Sequence, residues 1–401
     1  MDEDFLLLNP GPVPVSDAVL ASMTEPMVSH RSAAFEDVYE RAQDGLEYVF
    51  TRSSVTGEPT AEGGETLIFN GTATMAMEAA VANLVSGVGR ASDAEVVALV
   101  NGKFGRRFAR IAERYADCTR VEVEWGESIP LDDVADAVSD DTDVVTMVHN
   151  ETSTGLLNPV AGVGVLANEH DAAFIVDGVT SVGGDTFHID DWHVDVAITD
   201  AQKALAAPPG TSAMYATPRA VERFDGERAP FYEDLDWHVR KADQHQTPFT
   251  SAIPLFRALA TAVEEIRAEG IPDRIARHRR QAAAVRDGVT AMGLDLFPAP
   301  TGETEYSNTL TAVALPEAVR GDDADAFFDA VAERNVSVAG GQAHLGGDIF
   351  RLSNMGELTA AQVLRGVRTV GEAMRDAGVD VAVPTGVEAA RERLGAAADG
   401  D

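Results

Sequence analysis

Lys203 is the residue of this chain whose position best suits covalent chemistry. It follows an apolar run at 196–198, which is typical of a buried strand, and precedes a Pro-Pro-Gly turn at 208–210. Open α/β sheets bind ligands at the carboxyl ends of their strands, where a lysine is partly desolvated and loses its proton more easily. A neutral lysine amine can form a Schiff base. The chain has three lysines, at positions 103, 203 and 241, and the local pattern alone also fits an ordinary surface lysine.

Asp177 ends another apolar run, at 173–176, about one connection and one strand before Lys203. Because strand ends of a parallel sheet meet at one edge, both side chains can open onto the same cleft. A Schiff-base lysine together with an aspartate facing a protonated pyridine nitrogen is what a protein contributes to pyridoxal phosphate chemistry. Taken alone, Asp177 also fits a turn residue before Gly178.

A candidate phosphate site lies at 70–74, read Asn-Gly-Thr-Ala-Thr, between a predicted strand and a predicted helix. The N-terminus of a helix offers free N–H groups to an anion, and Thr72 and Thr74 add hydroxyl donors. The alternative is a simple strand–helix turn with an N-cap threonine.

Phe104 lies between Gly102 and Gly105, after a further predicted strand. Its ring could stack on a flat cofactor, although a core aromatic fits the pattern equally well.

The elements that must position these residues alternate between strand and helix, which predicts a mostly parallel sheet covered by helices on both faces. The predicted strands are 66–69, 95–100, 119–123, 144–149, 173–177, 194–199 and 212–216. The predicted helices between them are 33–50, 74–86, 105–116, 131–138 and 160–170.

From about residue 254 the pattern changes to long helices and a few short strands. We therefore predict an α/β fold with an N-terminal arm at 1–20, a large α/β domain at 21–253, a smaller α+β domain at 254–385 and a tail at 386–401. Disorder is expected from residue 397. The Gly-rich segment 51–65 predicts a surface loop.

The composition limits the classes of partner that the protein is expected to bind. The 401 residues carry a net charge of −35, which repels nucleic acid and anionic membranes and is typical of a surface adapted to high salt. Cys118 is the only cysteine, so neither an intrachain disulfide nor a cysteine metal cluster can form. No signal peptide and no apolar run of roughly 20 residues is evident, which predicts a soluble cytoplasmic protein.

Taken together, these motifs resemble the fold-type I pyridoxal phosphate enzymes of aminotransferase class V, most closely the alanine–glyoxylate and serine–pyruvate aminotransferase group. The resemblance runs from about residue 7 to 374. It rests on the ordered segments NPGPVPV, MVSHRS, NGTATMAMEAAVANL, NGKFGRRF, HNETSTGLLNP, FIVDGVTSVGG, DAQKALAAPPGTS, TPFTSAIPLFRAL and IFRLSNMG.

The resemblance implies a role for each matching residue. Lys203 would hold pyridoxal phosphate covalently, Asp177 would pair with its ring nitrogen and Phe104 would stack on the ring. Residues expected to hold the phosphate or contact the ring are Thr72, Ala73, Thr74, Gln202 and Thr152. The substrate would bind at Arg351, whose planar guanidinium suits a carboxylate, and near Gly11. Thr250 would reach the cofactor phosphate of a partner subunit, which implies a homodimer with shared active sites; the role of Thr247 is left open.

The function implied is transamination between a small L-amino acid, of the alanine or serine type, and glyoxylate or pyruvate. Ala73 departs from the family's Gly-Ser-Gly-Thr loop and puts the detailed phosphate contacts in question. Alternatives are a class V aspartate aminotransferase and a lyase of the cysteine-desulfurase type, which would need Cys118 as a nucleophile. A non-catalytic ligand-binding α/β protein is the alternative from another class.

Overall fold

The computed structural model describes residues 5–85, 93–226 and 229–395. Its strands are β1 (Leu6–Leu7), β2 (Glu65–Asn70), β3 (Glu95–Val100), β4 (Asp117–Glu122), β5 (Thr142–Val148), β6 (Asn150–Glu151), β7 (Leu156–Leu157), β8 (Ala173–Asp177), β9 (Val196–Asp200), β10 (Thr211–Ala216), β11 (Glu305–Tyr306), β12 (Leu310–Ala314), β13 (Val336–Ser337), β14 (Ala339–Gly340) and β15 (Ile349–Ser353). Its α-helices are α1 (Asp17–Ser22), α2 (Ala33–Thr51), α3 (Ala73–Leu84), α4 (Lys103–Ala112), α5 (Leu131–Ala137), α6 (Val160–Glu169), α7 (Pro218–Glu222), α8 (Leu235–Ala242), α9 (Ile253–Glu269), α10 (Ile271–Ala291), α11 (Ala324–Ala332), α12 (Ala360–Asp376) and α13 (Val383–Leu394).

The large sheet has the strand order β2-β10-β9-β8-β5-β3-β4. The pairs from β9 to β4 are parallel, whereas β10 runs antiparallel to both of its neighbours. Every residue of β8, β9 and β10 is buried, because helices cover both faces of the sheet. The predicted mostly parallel sheet is confirmed.

The carboxyl edge of this sheet collects the polar residues. Asp177 is the last residue of β8 and Asp200 the last residue of β9, and the parallel register pairs Asp177 with Ile198. Helix α3 begins directly after β2 with Thr72 as its N-cap, and α4 begins shortly after β3 with Gly102 as its N-cap. Two strand ends and two helix starts therefore meet at one edge.

Two hydrophobic cores divide the chain differently from the predicted boundary at residue 254. Helix α9 contributes Phe256 and Val263 to the core around the large sheet, so it belongs with the large sheet. The second core gathers the end of α10 with α11, α12 and α13. It also takes Leu6 and Leu8 from the predicted N-terminal arm, since β1 pairs with β13. The change between cores falls within α10.

Helix α13 occupies part of the predicted tail. Its residues Val383, Val387 and Leu394 are buried in the second core, and the helix packs along α10. The tail assignment is therefore wrong for residues 386–394. The disorder expected from residue 397 lies outside the described residues.

The segment 51–65 is mostly a loop with exposed residues at 55–56, 58–59 and 62–63, as predicted, but it is anchored in the interior at four positions. Ser53, Ser54, Thr60 and Ala61 are buried. The Ser53 hydroxyl accepts a 3.1 Å hydrogen bond from the N–H of Gly183, and its carbonyl accepts one of 2.6 Å from Phe187. The segment thus supports the connection that follows Asp177. Within the described ranges, no helix is long and apolar enough to cross a membrane.

Candidate active site

A cavity of about 230 Å³ lies at the carboxyl edge of the large sheet. It is lined by Thr72, Ala73, Thr74, Met77, Phe104, Arg107, Thr152, Asp177, Val179, Asp200, Gln202 and Lys203. The structure thus brings together the predicted lysine, aspartate, stacking aromatic and phosphate loop. Three other predicted site residues, Gly11, Thr250 and Arg351, do not line this cavity.

Lys203 follows β9 and points into a buried environment. Its Nζ donates a 2.5 Å hydrogen bond to the carbonyl of Pro10. Burial lowers the pKa of Lys203 to about 8. The positive charges of Arg351 and Arg107 lower this pKa further, whereas the carboxylate of Asp200 opposes them. The Lys203 amine therefore loses its proton more readily than the amine of an exposed lysine.

Gly11 lies against the side chain of Lys203. A Cβ at this position would lie 2.3 Å from Nζ, and Gly11 has φ of +133°, which other residues rarely adopt. Glycine is therefore required here for the lysine to keep its position. Gly11 contributes by leaving space beside the reactive amine rather than by a side chain.

Asp177 is buried at the end of β8, where it lines the cavity. Burial raises the pKa of its carboxyl to about 7, although the N–H of Val179 donates to Oδ1 at 2.9 Å. The negative charges of Glu151 and Asp200 also raise this pKa. A cation next to Asp177 would restore the ionised form, which is the condition that a protonated pyridine nitrogen meets.

The start of α3 is open to an anion. Gly71 has φ of +153° and donates from its N–H to the carbonyl of Gly210, which turns the chain from β2 into the helix. The N-cap Thr72 makes no side-chain capping bond, and the first turn of α3 holds no acidic residue. Its hydroxyl and the helix N–H groups can therefore serve a phosphate.

Asp200 and Gln202 leave unmatched polar atoms beside this helix start. The Gln202 amide donates from Nε2 to Asp200 Oδ2 at 2.7 Å. Asp200 Oδ1 and Gln202 Oε1 are buried and have no hydrogen-bond partner among the described residues. Buried polar atoms normally find partners, so the cavity is built for a polar guest. Both atoms are acceptors and cannot bind a phosphate, so the fit to a phosphorylated cofactor rests on the Thr72 hydroxyl and the N–H groups at the start of α3.

Glu151 is a functional candidate that sequence reasoning missed. It is fully buried, and its carboxylate accepts hydrogen bonds from the N–H groups of Phe104, Gly105 and Ser153 at 3.0 to 3.1 Å. Burial raises the pKa of Glu151 while these donors oppose the rise. Glu151 therefore fixes the start of α4 and with it the Phe104 ring. Its place in the quoted segment HNETSTG was the available signal.

Arg351 contacts the backbone of Thr152, a residue that lines the cavity. Its Nη1 donates to the carbonyl of Thr152 at 2.9 Å, and its Nη2 donates to the carbonyl of Gly340 at 2.8 Å. Burial lowers the pKa of Arg351 to about 10, and the charge of Glu151 opposes this effect. Thr152 lines the cavity, and its hydroxyl lies 3.2 Å from that of Thr180. Arg351 therefore contacts the backbone of a residue that lines the cavity but does not line the cavity itself.

Thr250 lies on the surface of the chain. Its carbonyl accepts a 3.3 Å bond from Asn70, which precedes the phosphate loop, while its side chain is exposed. Thr247 is buried, and its hydroxyl bonds locally to the Phe249 carbonyl and to Ser251.

Cys118 lies within the edge strand β4, one residue before the start of the predicted strand 119–123. It is half-buried against Ala98, Val100 and Ala109. Burial raises the pKa of the Cys118 thiol to about 11, and Glu113 adds to this rise. A thiol so far from its reactive ionised form does not favour the lyase alternative.

Comparison with known proteins agrees with this geometry. The chain matches the family Aminotransferase class-V over residues 5–343. It is 36% identical to an uncharacterized aminotransferase of Methanocaldococcus jannaschii, covering 97% of each chain, and 31% identical to the L-aspartate–glyoxylate aminotransferase of Paracoccus denitrificans, covering 96% and 94%. The structure of an alanine–glyoxylate aminotransferase from Nostoc sp. matches with a TM-score of 0.82 at 31% identity, covering 92% of this chain and 95% of that one.

The chain therefore belongs to the class V aminotransferase family. It is a pyridoxal-phosphate-dependent aminotransferase, and the resemblance stated from the sequence is confirmed.

Proposed function

We propose that this enzyme transfers the amino group of a small L-amino acid, of the alanine or serine type, to glyoxylate or pyruvate. The observation that carries this proposal is the single compact cavity that Lys203 and Asp177 share. The small amino donor is supported by the resemblance to the alanine–glyoxylate and serine–pyruvate aminotransferase group and by the structural match to an alanine–glyoxylate aminotransferase. Glyoxylate is the acceptor in the names of two relatives reported above.

Each residue has a task in this proposal. Pyridoxal phosphate supplies, when bound, an electron sink for the bond that breaks at the substrate α-carbon. Lys203 attaches the cofactor and then, once released as a neutral amine, carries the α-proton as a general base. Asp177 keeps the ring nitrogen protonated. Arg351 binds the substrate carboxylate by exchanging a backbone carbonyl for it, because a guanidinium prefers an anionic acceptor.

A half-reaction screen tests the substrate assignment. Alanine, serine, glycine and aspartate are each added to the cofactor-loaded enzyme without an oxo acid, and the visible absorbance of the lysine-bound cofactor is followed. We expect alanine or serine to discharge the band fastest, and glyoxylate or pyruvate to restore it. Faster discharge by aspartate would favour the aspartate alternative, and no discharge by any donor would exclude transamination of these acids.

We further propose a homodimer in which Thr250 reaches the partner's phosphate site. Phe231 is 75% exposed, and with Tyr232, Trp237 and Phe249 it forms an aromatic cluster directly before Thr250. A patch of this kind is typical of a protein interface. Sedimentation equilibrium is expected to give twice the chain mass of 42.4 kDa. A single-chain mass for the cofactor-loaded enzyme would contradict the shared site.

A cytoplasmic location and adaptation to high salt complete the proposal. The net charge of −35 supports the second point, since dissolved counterions screen self-repulsion between surface carboxylates. The lone half-buried thiol of Cys118 supports the first, because a reducing compartment does not call for disulfides.

A further inference from the structure

Arg107 occupies a position between the phosphate loop and the stacking ring. It lies one turn into α4, and its Nη1 donates a 2.8 Å hydrogen bond to the hydroxyl of Thr74 in the first turn of α3. Its Cζ lies 4.9 Å from the centre of the Phe104 ring. Arg107 also lines the cavity. The guanidinium thus touches both of the elements expected to hold the cofactor.

The charges around the cavity leave the phosphate end short of positive charge. Among the lining residues in the described chain, the cations are Lys203 and Arg107, and the carboxylates are Asp177 and Asp200. A phosphate monoester brings about −1.5 to −2 charges at neutral pH. The α3 N-terminus offers roughly half a positive charge. Lys203 is committed to the aldehyde of the cofactor.

Arginine also has the donors that a phosphate needs. The guanidinium carries five N–H donors in a fixed plane, and a single hydrogen bond, from Nη1 to Thr74, is recorded for Arg107 among the described residues. Its remaining N–H groups are therefore available at the mouth of the phosphate loop. Bidentate arginine–phosphate pairs are among the stronger hydrogen-bonded contacts in proteins.

We propose that Arg107 binds the cofactor phosphate and supplies its counter-charge, with Thr74 holding the guanidinium in place. This inference rests on the proposed cofactor roles of the phosphate loop, yet it does not depend on which amino acid the enzyme uses. It assigns two tasks to one face of α4: Phe104 presents the stacking ring, and Arg107, one turn later, presents a cation to the phosphate.

The test compares two cofactor forms that differ only in the phosphate. Affinities for pyridoxal phosphate and for pyridoxal, which lacks it, are measured by absorbance titration of apoenzyme for wild type and Arg107→Met. We expect the affinity for pyridoxal phosphate to fall about ten- to a hundredfold, the value of a hydrogen bond to a charged group, and the affinity for pyridoxal to stay unchanged.

Arg110→Met is the matched control. Arg110 lies one turn further along α4, is exposed and lines the neighbouring cleft rather than the cofactor cavity. The Arg110→Met variant loses one positive charge from the same helix, and its affinities for pyridoxal phosphate and for pyridoxal are both expected to stay unchanged.

Two outcomes would overturn the proposal. An equal loss for both cofactor forms would mean that Arg107 merely supports Phe104, and no loss for either would mean that it does not contact the phosphate. If Arg107→Met fails to fold, Arg107→Gln removes the charge but keeps a polar group. The ratio of its affinities for pyridoxal phosphate and pyridoxal then tests the proposal in the same way. Failure of the amino-acid assignment would instead appear only in the half-reaction screen, with these ratios intact.

Discussion

Replacing Lys203 with alanine is expected to lower the transamination rate by more than about a thousandfold. Its amine is the proposed covalent attachment point and the proposed base, and a positioned base alone contributes roughly 10²- to 10⁴-fold. The affected residue is buried beside Gly11, where no other lysine can substitute. The rate is measured with excess cofactor, so that weaker cofactor binding does not account for the loss.

The matched control is Lys241→Ala, because the chain has only three lysines. Lys241 is partly exposed in the last turn of α8, and its Nζ donates to Gln244, so its removal should leave the rate unchanged. Borohydride reduction of the loaded wild-type enzyme should fix the cofactor on the Lys203 peptide, as read by mass spectrometry. Methylamine, entering the space that the side chain leaves, is expected to restore part of the lost activity. Labelling of Lys103 or Lys241 instead would refute the assignment.

The sequence predicted the meeting of Lys203 and Asp177 because both follow buried apolar runs. In a parallel sheet such runs end at one edge, so local pattern determines which side chains share a cleft. The same reasoning located the loop that holds Thr72, since a strand followed at once by a helix leaves N–H groups at that edge.

Contacts between distant segments could not be read in this way. The Glu151 carboxylate accepts a hydrogen bond from the N–H of Phe104, which is 47 residues away in the sequence. Arg107 donates a hydrogen bond to Thr74 on another helix. No sequence spacing predicts either contact. The pairing of Leu6 with Val336 is equally remote, which is why the N-terminal residues were predicted as a separate arm.

Helix α13 was not predicted, although its apolar residues have the spacing of a helix. Val383, Val387, Ala390 and Leu394 recur at helical spacing, and all are buried. The small and polar residues AADGD at the end of the chain predicted a tail, although the residues before them have helical spacing.

Replacing Asp177 with asparagine is expected to reduce transamination roughly 100- to 1000-fold, the scale of losing one preorganised electrostatic contact. Asparagine keeps the acceptor for the Val179 N–H but cannot balance a protonated ring nitrogen. Asp136→Asn, at an exposed position on α5, is the control and should retain full activity. Retained activity in Asp177→Asn would exclude the proposed partnership with the ring.

The stability of the cofactor-free variant should change in the opposite direction. Because burial raises the pKa of Asp177 from 3.8 to about 7, its contribution to folding stability is complete below pH 4 and is lost as the pH rises through 7. The full loss approaches about 4 kcal/mol, since one pKa unit corresponds to about 1.4 kcal/mol. Asp177→Asn avoids this loss. The melting temperature of its apoenzyme should therefore exceed that of the wild-type apoenzyme at pH 9 and equal it near pH 4. A lower melting temperature at pH 9 would mean that the ionised carboxylate is not penalised in the empty cavity. An inactive enzyme with a more stable apoprotein would separate the role of Asp177 toward the cofactor from any role in folding.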